Sequence, residues 1–593
     1  MAVEISQEIL MAAHHSAFDR YRALLRKNRN DKVTAQVSFE ELPPEALDVL
    51  ETVAKEQKSR TLVRSLKVFK AARIGDFTHS IPTLAASVEV LLRYLRTDAI
   101  DGWIYVEDKA GNLSPELVTD ISLKPAQYGR DDREYLRITT IRTTFDTGRD
   151  SKRRVHAQAC LHTFSAEEVV NRTVTQVLEN AGIQKETAEL KAEYEAALER
   201  HVNEVMPAFA GQFRFTGKSI ESSYSRKAVD VTDRKVINDM ESSDYGPVVA
   251  YAHTPLVEEA DDLEGDAVPE NGLVPFHTVI SVFDLKTYDF YWVDSRQVVP
   301  HVYDETLADK LVLPHTHRDL LDCLTQDLSL FAGDIVEGKG TGNVILCAGA
   351  PGIGKTLTAE VYAEIRKKPL YAIHSGNLGT TAKEVQEKLQ VIFQRAKRWD
   401  CVLLLDEADV FVMARGRDLE TNAVVAEFLR TLEYFDGLLF MTTNRHDDID
   451  DAILSRCLAV IRYSPPERER ARPIWKIVST ALGRTLEDGL VDELLDLFPK
   501  AAGRDMKQLC GTVFRMVHAG KWNLDADAFR RAAMFRGVDM NQNGGSGYVD
   551  GVEDPEIARL IRTAQDSIED DMGFRPPAAD ALRYLARKSG LAA

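Results

Sequence analysis

The side chains best placed to do chemistry cluster in Gly349-Ala350-Pro351-Gly352-Ile353-Gly354-Lys355-Thr356, which fits the G-x-x-x-x-G-K-[ST] pattern at every fixed position. Glycines here let consecutive backbone N–H groups turn inward around the phosphates of a nucleotide. A helix starting at the end of the loop adds its partial positive charge. Lys355 is then placed to reach the β and γ phosphates, and the Thr356 hydroxyl to meet Mg²⁺. The expected nucleotide contacts run from Gly349 through Ala350, Pro351, Gly352, Ile353, Gly354, Lys355 and Thr356 to Leu357. A second group is Asp406-Glu407, after Cys401-Val-Leu-Leu-Leu405. Asp406 suits Mg²⁺, held mainly through its water shell because magnesium dehydrates reluctantly. Glu407 suits polarisation of a water for attack on the γ phosphate. Asn444 could hydrogen-bond that phosphate or that water. Arg456 could neutralise developing charge on a neighbouring subunit's nucleotide, or serve as an ordinary surface ion-pair partner; Arg462 is a second candidate. Arg504 could reach back over the nucleotide from a lid.

These groups need a scaffold, and the flanking patterns supply one. Asn343 to Ala348 is a short apolar run that reads as a buried strand, and Leu357 to Lys368 has helical spacing without a breaker. Cys401–Leu405 and Leu438–Thr443 are two further buried strands, the first ending in the acid pair and the second just before Asn444-Arg445. Residues 467–536 read as all helices, and Gly503-Arg504-Asp505 precedes a helix expected over Met506 to Val517.

With these residues assembled, the stretch 314–540 resembles an AAA ATPase. The motifs are GAPGIGKT, LLLDEAD, TTNR and an arginine shortly after, followed by a helical lid. Gly333 to Gly340, Trp399 to Val412 and Ser455-Arg456 are most similar to single-module AAA proteins, common in fungi, that carry a large N-terminal region. The resemblance implies an α/β phosphate-loop core with an all-helical lid. It also implies Mg-dependent ATP hydrolysis to ADP and phosphate in an oligomeric ring, usually a hexamer, that remodels or moves a protein client. Asn444 then corresponds to the first sensor, Arg456 to the arginine finger and Arg504 to the second sensor. The sequence departs from the family in several places. Ser375-Gly376-Asn377-Leu378-Gly379-Thr380 has no aromatic where many unfoldases place a pore wedge, which argues against strong threading. Leu438 follows Asp436-Gly437 where phenylalanine is usual, and the Arg-Pro-Gly-Arg run is absent. Ser455-Arg456-Cys457 is similar to clamp-loader ATPases. With Arg504, it keeps open an alternative reading, a nucleic-acid-linked switch of clamp-loader or defence type, which salt-sensitive stimulation by DNA or RNA would favour.

The remainder of the chain carries no such constellation. Its 593 residues exceed one core, and 44% hydrophobic with 28% charged is ordinary for a globular protein. The net charge of −19 argues against broad nucleic-acid binding. No apolar run is long enough to span a bilayer. The acids at Glu4 and Glu8 do not fit a signal peptide. Six scattered cysteines suit a reducing compartment, so a cytoplasmic location is expected. The domains expected are a helical segment over 1–74, a mixed α/β or β-rich domain over 75–313, the ATPase core over 314–464, the lid over 465–540, and a linker with two helices over 541–593. Within the second, Thr83 to Leu95 reads as helix, while Trp103–Val106, Tyr135–Phe145 and Val155–Phe164 read as strands. Ser165-Ala-Glu-Glu168 has the form of a capping box. Leu256 to Gly272 reads as an acidic loop, Leu311–Pro314 as a linker, and Arg415-Gly416-Arg417 as a second pore loop or a solvated one. Gly217-Lys218-Ser219 ends like a phosphate loop, but Gly211 is misplaced for the pattern, so it is rejected as a nucleotide site. Asn543–Gly547 reads as a flexible linker, and Pro555–Asp570 and Pro577–Ser589 as helices.

Overall fold

The computed structural model describes residues 3–27, 34–39, 41–108, 111–125, 134–146, 154–220, 229–245, 249–257, 271–326, 342–413, 419–445 and 449–540. Gly333–Gly340, most of Leu256–Gly272, Arg415–Arg417, Asn543–Gly547 and the two helices expected beyond it lie outside the described residues. By its internal contacts the chain divides into two compact units, Met1–Val302 with Arg398–Asp400, and Tyr303–Lys397 with Cys401–Ala593.

The first unit is mixed α/β. Its opening residues form helices Gln7–Ala12, Asp19–Lys27, Pro44–Glu56 and Arg60–Arg73. An antiparallel pair, Val3–Ser6 with Thr34–Val37, joins them, which helical periodicity alone did not show. Helix Leu84–Arg96 follows, capped by Thr83, whose hydroxyl accepts from the Ala86 N–H. It buries Leu91 and Leu95 against Ile104, Val118, Leu136 and Ile138. These last four belong to an antiparallel sheet ordered Arg154–Phe164, Tyr135–Asp146, Leu113–Lys124, Trp103–Glu107 and Ile183–Lys185. The Ser165 capping box is present, with Glu168 accepting from the Ser165 N–H. A second antiparallel sheet is ordered Phe290–Asp294, Val279–Asp284, Asp230–Asn238, Gln212–Lys218 and Val298–Pro300. The rejected Gly217-Lys218 sits in this sheet, where its strand bulges between Phe215 and Gly217 opposite Asp230–Asn238.

The second unit holds a parallel five-stranded sheet. Its strands are β1 (Asn343–Ala348), β2 (Leu370–His374), β3 (Val402–Asp406), β4 (Leu438–Thr443) and β5 (Ala459–Arg462), in spatial order β2-β3-β4-β1-β5. Every residue of β1 is buried, as a strand covered on both faces requires. The flanking helices are α1 (Lys355–Ile365), α2 (Ala382–Arg398), α3 (Asp409–Val412), α4 (Leu419–Leu432) and α5 (Asp451–Leu454). A helical bundle follows: α6 (Arg468–Ala481), α7 (Asp488–Leu497), α8 (Gly503–His518) and α9 (Ala526–Met534), closed around Trp475, Leu494, Met506, Leu509 and Phe529. Helix α8 starts at Gly503, ahead of the expected Met506, because the Asp505 carboxylate caps it by accepting from the Ala502 N–H. The parallel register brings the carboxyl ends of the strands together, with Ala348 beside both Thr443 and Arg462. In open α/β sheets that edge is where ligands bind, at the point where the strand order reverses.

Candidate nucleotide site

The loop between β1 and α1 is built by its glycines. Gly349, Gly352 and Gly354 all have positive φ, at 150°, 80° and 102°, a region L-residues with a Cβ rarely adopt. Gly354 caps α1, so the helix N-terminus opens onto the loop. Gly352 also permits a close approach: a Cβ there would lie 2.7 Å from the Cβ of Arg504. At the same contact, the Arg504 N–H donates to the Gly352 carbonyl at 3.0 Å, tying the first turn of α8 to the loop.

Lys355 is only 7% exposed. Its ammonium donates to the carbonyls of Gly349 and Ala350, both at 2.7 Å, and to Asn444 Oδ1 at 2.9 Å. Burial lowers its pKa, while Asp409 and Asp406 favour the charged form. The Thr356 hydroxyl donates to Asp406 Oδ1 at 2.9 Å, and the Thr442 hydroxyl donates to the same oxygen. Glu407 is exposed, with φ of 55° and its N–H donating to Thr442 Oγ1 at 3.0 Å. A left-handed glutamate is uncommon, and such strain concentrates at functional positions. Asn444 is held by its backbone: its N–H donates to Asp409 Oδ1 at 2.8 Å, and the Thr443 hydroxyl donates to the same oxygen.

Lys355, Thr356, Asp406, Thr442 and Asn444 line one cleft of about 1130 Å³, with Pro351, Gly352, Ile353, Gly354, Leu357, Glu407, Arg462 and Arg504 also on its wall, whereas Gly349 and Ala350, expected as nucleotide contacts, are not among its lining residues. Arg456 is not on that wall. It lies 3.7 Å from the Glu433 carboxylate, donates to the Ala452 carbonyl at 3.2 Å, and keeps a buried Nε without a hydrogen-bond partner. Three features in and around the cleft were not legible beforehand. Leu311–Pro314, expected to be a linker, lines the cleft, and Leu311 is buried in the core beside β1. Ile474, Ile477 and Val478 of α6 form an apolar wall suited to a base. Asp409 orders Asn444; its place as the third acid of Asp406-Glu407-Ala408-Asp409 was the available signal. The oxygens of Thr356 and Asp406 lie together at the cleft floor and fit a hard cation such as Mg²⁺.

Strand order, loop and carboxylate together define a phosphate-loop nucleotide-binding fold. Residues 345–465 match the family model for the ATPase family associated with various cellular activities, AAA. The second unit therefore contains an AAA domain. Over 183 residues the chain is 31% identical to the 26S proteasome regulatory subunit 7 homolog B of Arabidopsis thaliana. That match takes in 28% of this chain and 38% of the relative's length. Among solved structures, the E. coli MS115-1 HORMA:CdnC:Trip13 complex aligns at 19% identity and TM-score 0.31, over 39% of this chain and 90% of that chain. The FIGL-1 AAA domain in complex with ADP aligns at 20% identity and TM-score 0.32, over 44% of this chain and 89% of that chain.

Proposed function

We propose that this protein binds and hydrolyses ATP in the cleft around Lys355, and that rings of it, hexameric by family habit, couple hydrolysis to remodelling a protein client. The observation that carries the reading is the convergence of Lys355, Asn444, Thr356, Asp406 and the exposed Glu407 at the carboxyl edge of one parallel sheet. Lys355 and Arg504 meet the phosphates, while Leu311–Pro314 and Ile474–Val478 enclose the base. Thr356 and Asp406 would hold Mg²⁺, which would supply neutralisation of phosphate charge. Glu407 accepts the proton of the attacking water, and Asn444 orients that water. Arg456, off the cleft wall of its own subunit, serves the nucleotide of the next subunit. The N-terminal region, without a catalytic constellation of its own, selects the client. Glu407→Gln tests the chemistry: ATP stays bound and phosphate release stops, whereas Lys355→Ala loses binding. Normal turnover by Glu407→Gln would remove Glu407 from this role.

A further inference from the structure

Where β3 ends, its pairing with β4 changes character. The ladder between them runs from Val402 opposite Leu438 to Leu405 opposite Met441, and the next residue of β4 is Thr442. Thr442 holds residues 406–408 with three bonds. Its carbonyl accepts from the Ala408 N–H at 2.8 Å. Its hydroxyl accepts from the Glu407 N–H at 3.0 Å and donates to Asp406 Oδ1. A hydroxyl can serve both residues because it has one proton to donate and two lone pairs to accept with.

Each of the two hydroxyl bonds fixes something soft. Glu407 has φ of 55°, a left-handed backbone that a residue with a long side chain keeps only where its surroundings hold it. The bond from its N–H to Thr442 is such a hold. The last torsion of an aspartate is broad and roughly two-fold, so a carboxylate turns freely unless it is tied. Here the Thr356 hydroxyl from α1 and the Thr442 hydroxyl from β4 both bond Oδ1 of Asp406. Thr442 is itself fixed: it is 2% exposed and stands opposite Cys347 of β1 in the parallel register.

We propose that Thr442 is the positioning residue that couples the cation carboxylate to the general base. One hydroxyl sets the rotation of Asp406 and the backbone of Glu407 together, so the two carboxylates keep a fixed relation across the cleft. This rests on the reading that Asp406 serves Mg²⁺ and Glu407 the attacking water.

The test uses the full chain and three measurements. They are steady-state ATP hydrolysis, affinity for a non-hydrolysable ATP analogue with magnesium and with EDTA, and hydrogen exchange of the nucleotide-free protein over residues 406–408. Valine has the shape of threonine without the hydroxyl, and serine keeps the hydroxyl without the methyl. In Thr442→Val, kcat falls about tenfold to a hundredfold with KM little changed, as is usual for losing a partner of a metal-binding carboxylate. The gain in analogue affinity that magnesium gives falls about tenfold, affinity in EDTA stays at the wild-type value, and the Glu407 amide exchanges faster. Thr442→Ser restores all of these. A threonine needed only for packing gives the reverse order, with valine tolerated and serine impaired, and that result overturns the proposal. So does a serine variant as slow as the valine variant. Thr442→Ala carries the same expectations as valine and replaces it if valine loses affinity in EDTA. A wild-type chain that binds the analogue in neither condition overturns the nucleotide reading itself, which separates the two failures.

Discussion

Gly352 and Gly354 both sit at positive φ in the same loop, yet alanine at the two positions has different consequences. At Gly354, with φ of 102°, an added Cβ meets nothing within 4 Å. Gly354→Ala therefore costs only left-handed backbone strain, about 1–2 kcal/mol. At Gly352, with φ of 80°, the Cβ lies 2.7 Å from Arg504 Cβ, an atom fixed to the backbone of α8. Relieving that overlap requires the first turn of α8 to retreat and stretches the 3.0 Å bond from the Arg504 N–H to the Gly352 carbonyl. Overpacking of this kind adds about 1–3 kcal/mol to the same strain. Gly352→Ala should therefore melt below Gly354→Ala by several degrees, at about 2–4 °C per kcal/mol for a unit of this size. It should also lose more ADP affinity, because Arg504 moves off the cleft wall. Differential scanning calorimetry and calorimetric ADP titration of the two variants read both quantities. Equal melting temperatures, or ADP affinity lost equally in both, would refute the argument that Gly352 is required by its contact with α8.

Three further outcomes are expected. Asp409→Ala removes the acceptor shared by the Asn444 N–H and the Thr443 hydroxyl, so kcat should fall about tenfold to a hundredfold with KM little changed, the size expected for losing charged hydrogen bonds; a KM effect alone would place Asp409 outside water orientation. Arg456→Ala should spoil hydrolysis in the assembled protein while leaving ATP binding to an isolated subunit intact, and full activity in a monomer would contradict a role in trans. His201 is fully buried, has no hydrogen-bond partner for either ring nitrogen, and is pulled down by burial to a pKa of about 4. The unfolded chain binds this proton near pH 6.5, so stability is intact above that value and falls as pH drops from about 6.5 to about 4, by about 3 kcal/mol in total. His277, pushed to about 3 by burial, acts in the same direction. His201→Phe should flatten part of that slope in urea unfolding between pH 4 and 6.5, and an unchanged slope would clear His201.

Much of the proposed nucleotide site could be read from the chain because its parts are local. A phosphate cradle is made by the backbone of consecutive residues, so Gly349–Thr356 carries nearly all of it in one stretch. The buried strands β1, β3 and β4 are continuous apolar runs because both their faces are covered. Strands with one wet face were harder. Leu113–Lys124 contains Pro115, Glu116 and Asp120, and Asp230–Asn238 alternates charges with valines; neither was anticipated. Each is extended because its neighbours pair with it, and a pairing partner is not a property of the segment itself.

The site divides in the same way. Residue types alone determined that Lys355, Thr356, Asp406 and Glu407 suit phosphate, magnesium and water. Only the tertiary structure decided that Asn444 reaches Lys355 from the next strand over, and that Thr442 shares the Asp406 carboxylate with Thr356. It alone turned Leu311–Pro314 from a linker into a cleft wall, and placed Arg456 off that wall beside Glu433. A motif records which groups follow one another along a chain. Chemistry between groups distant in sequence depends on the strand order β2-β3-β4-β1-β5, which sets whose carboxyl ends become neighbours.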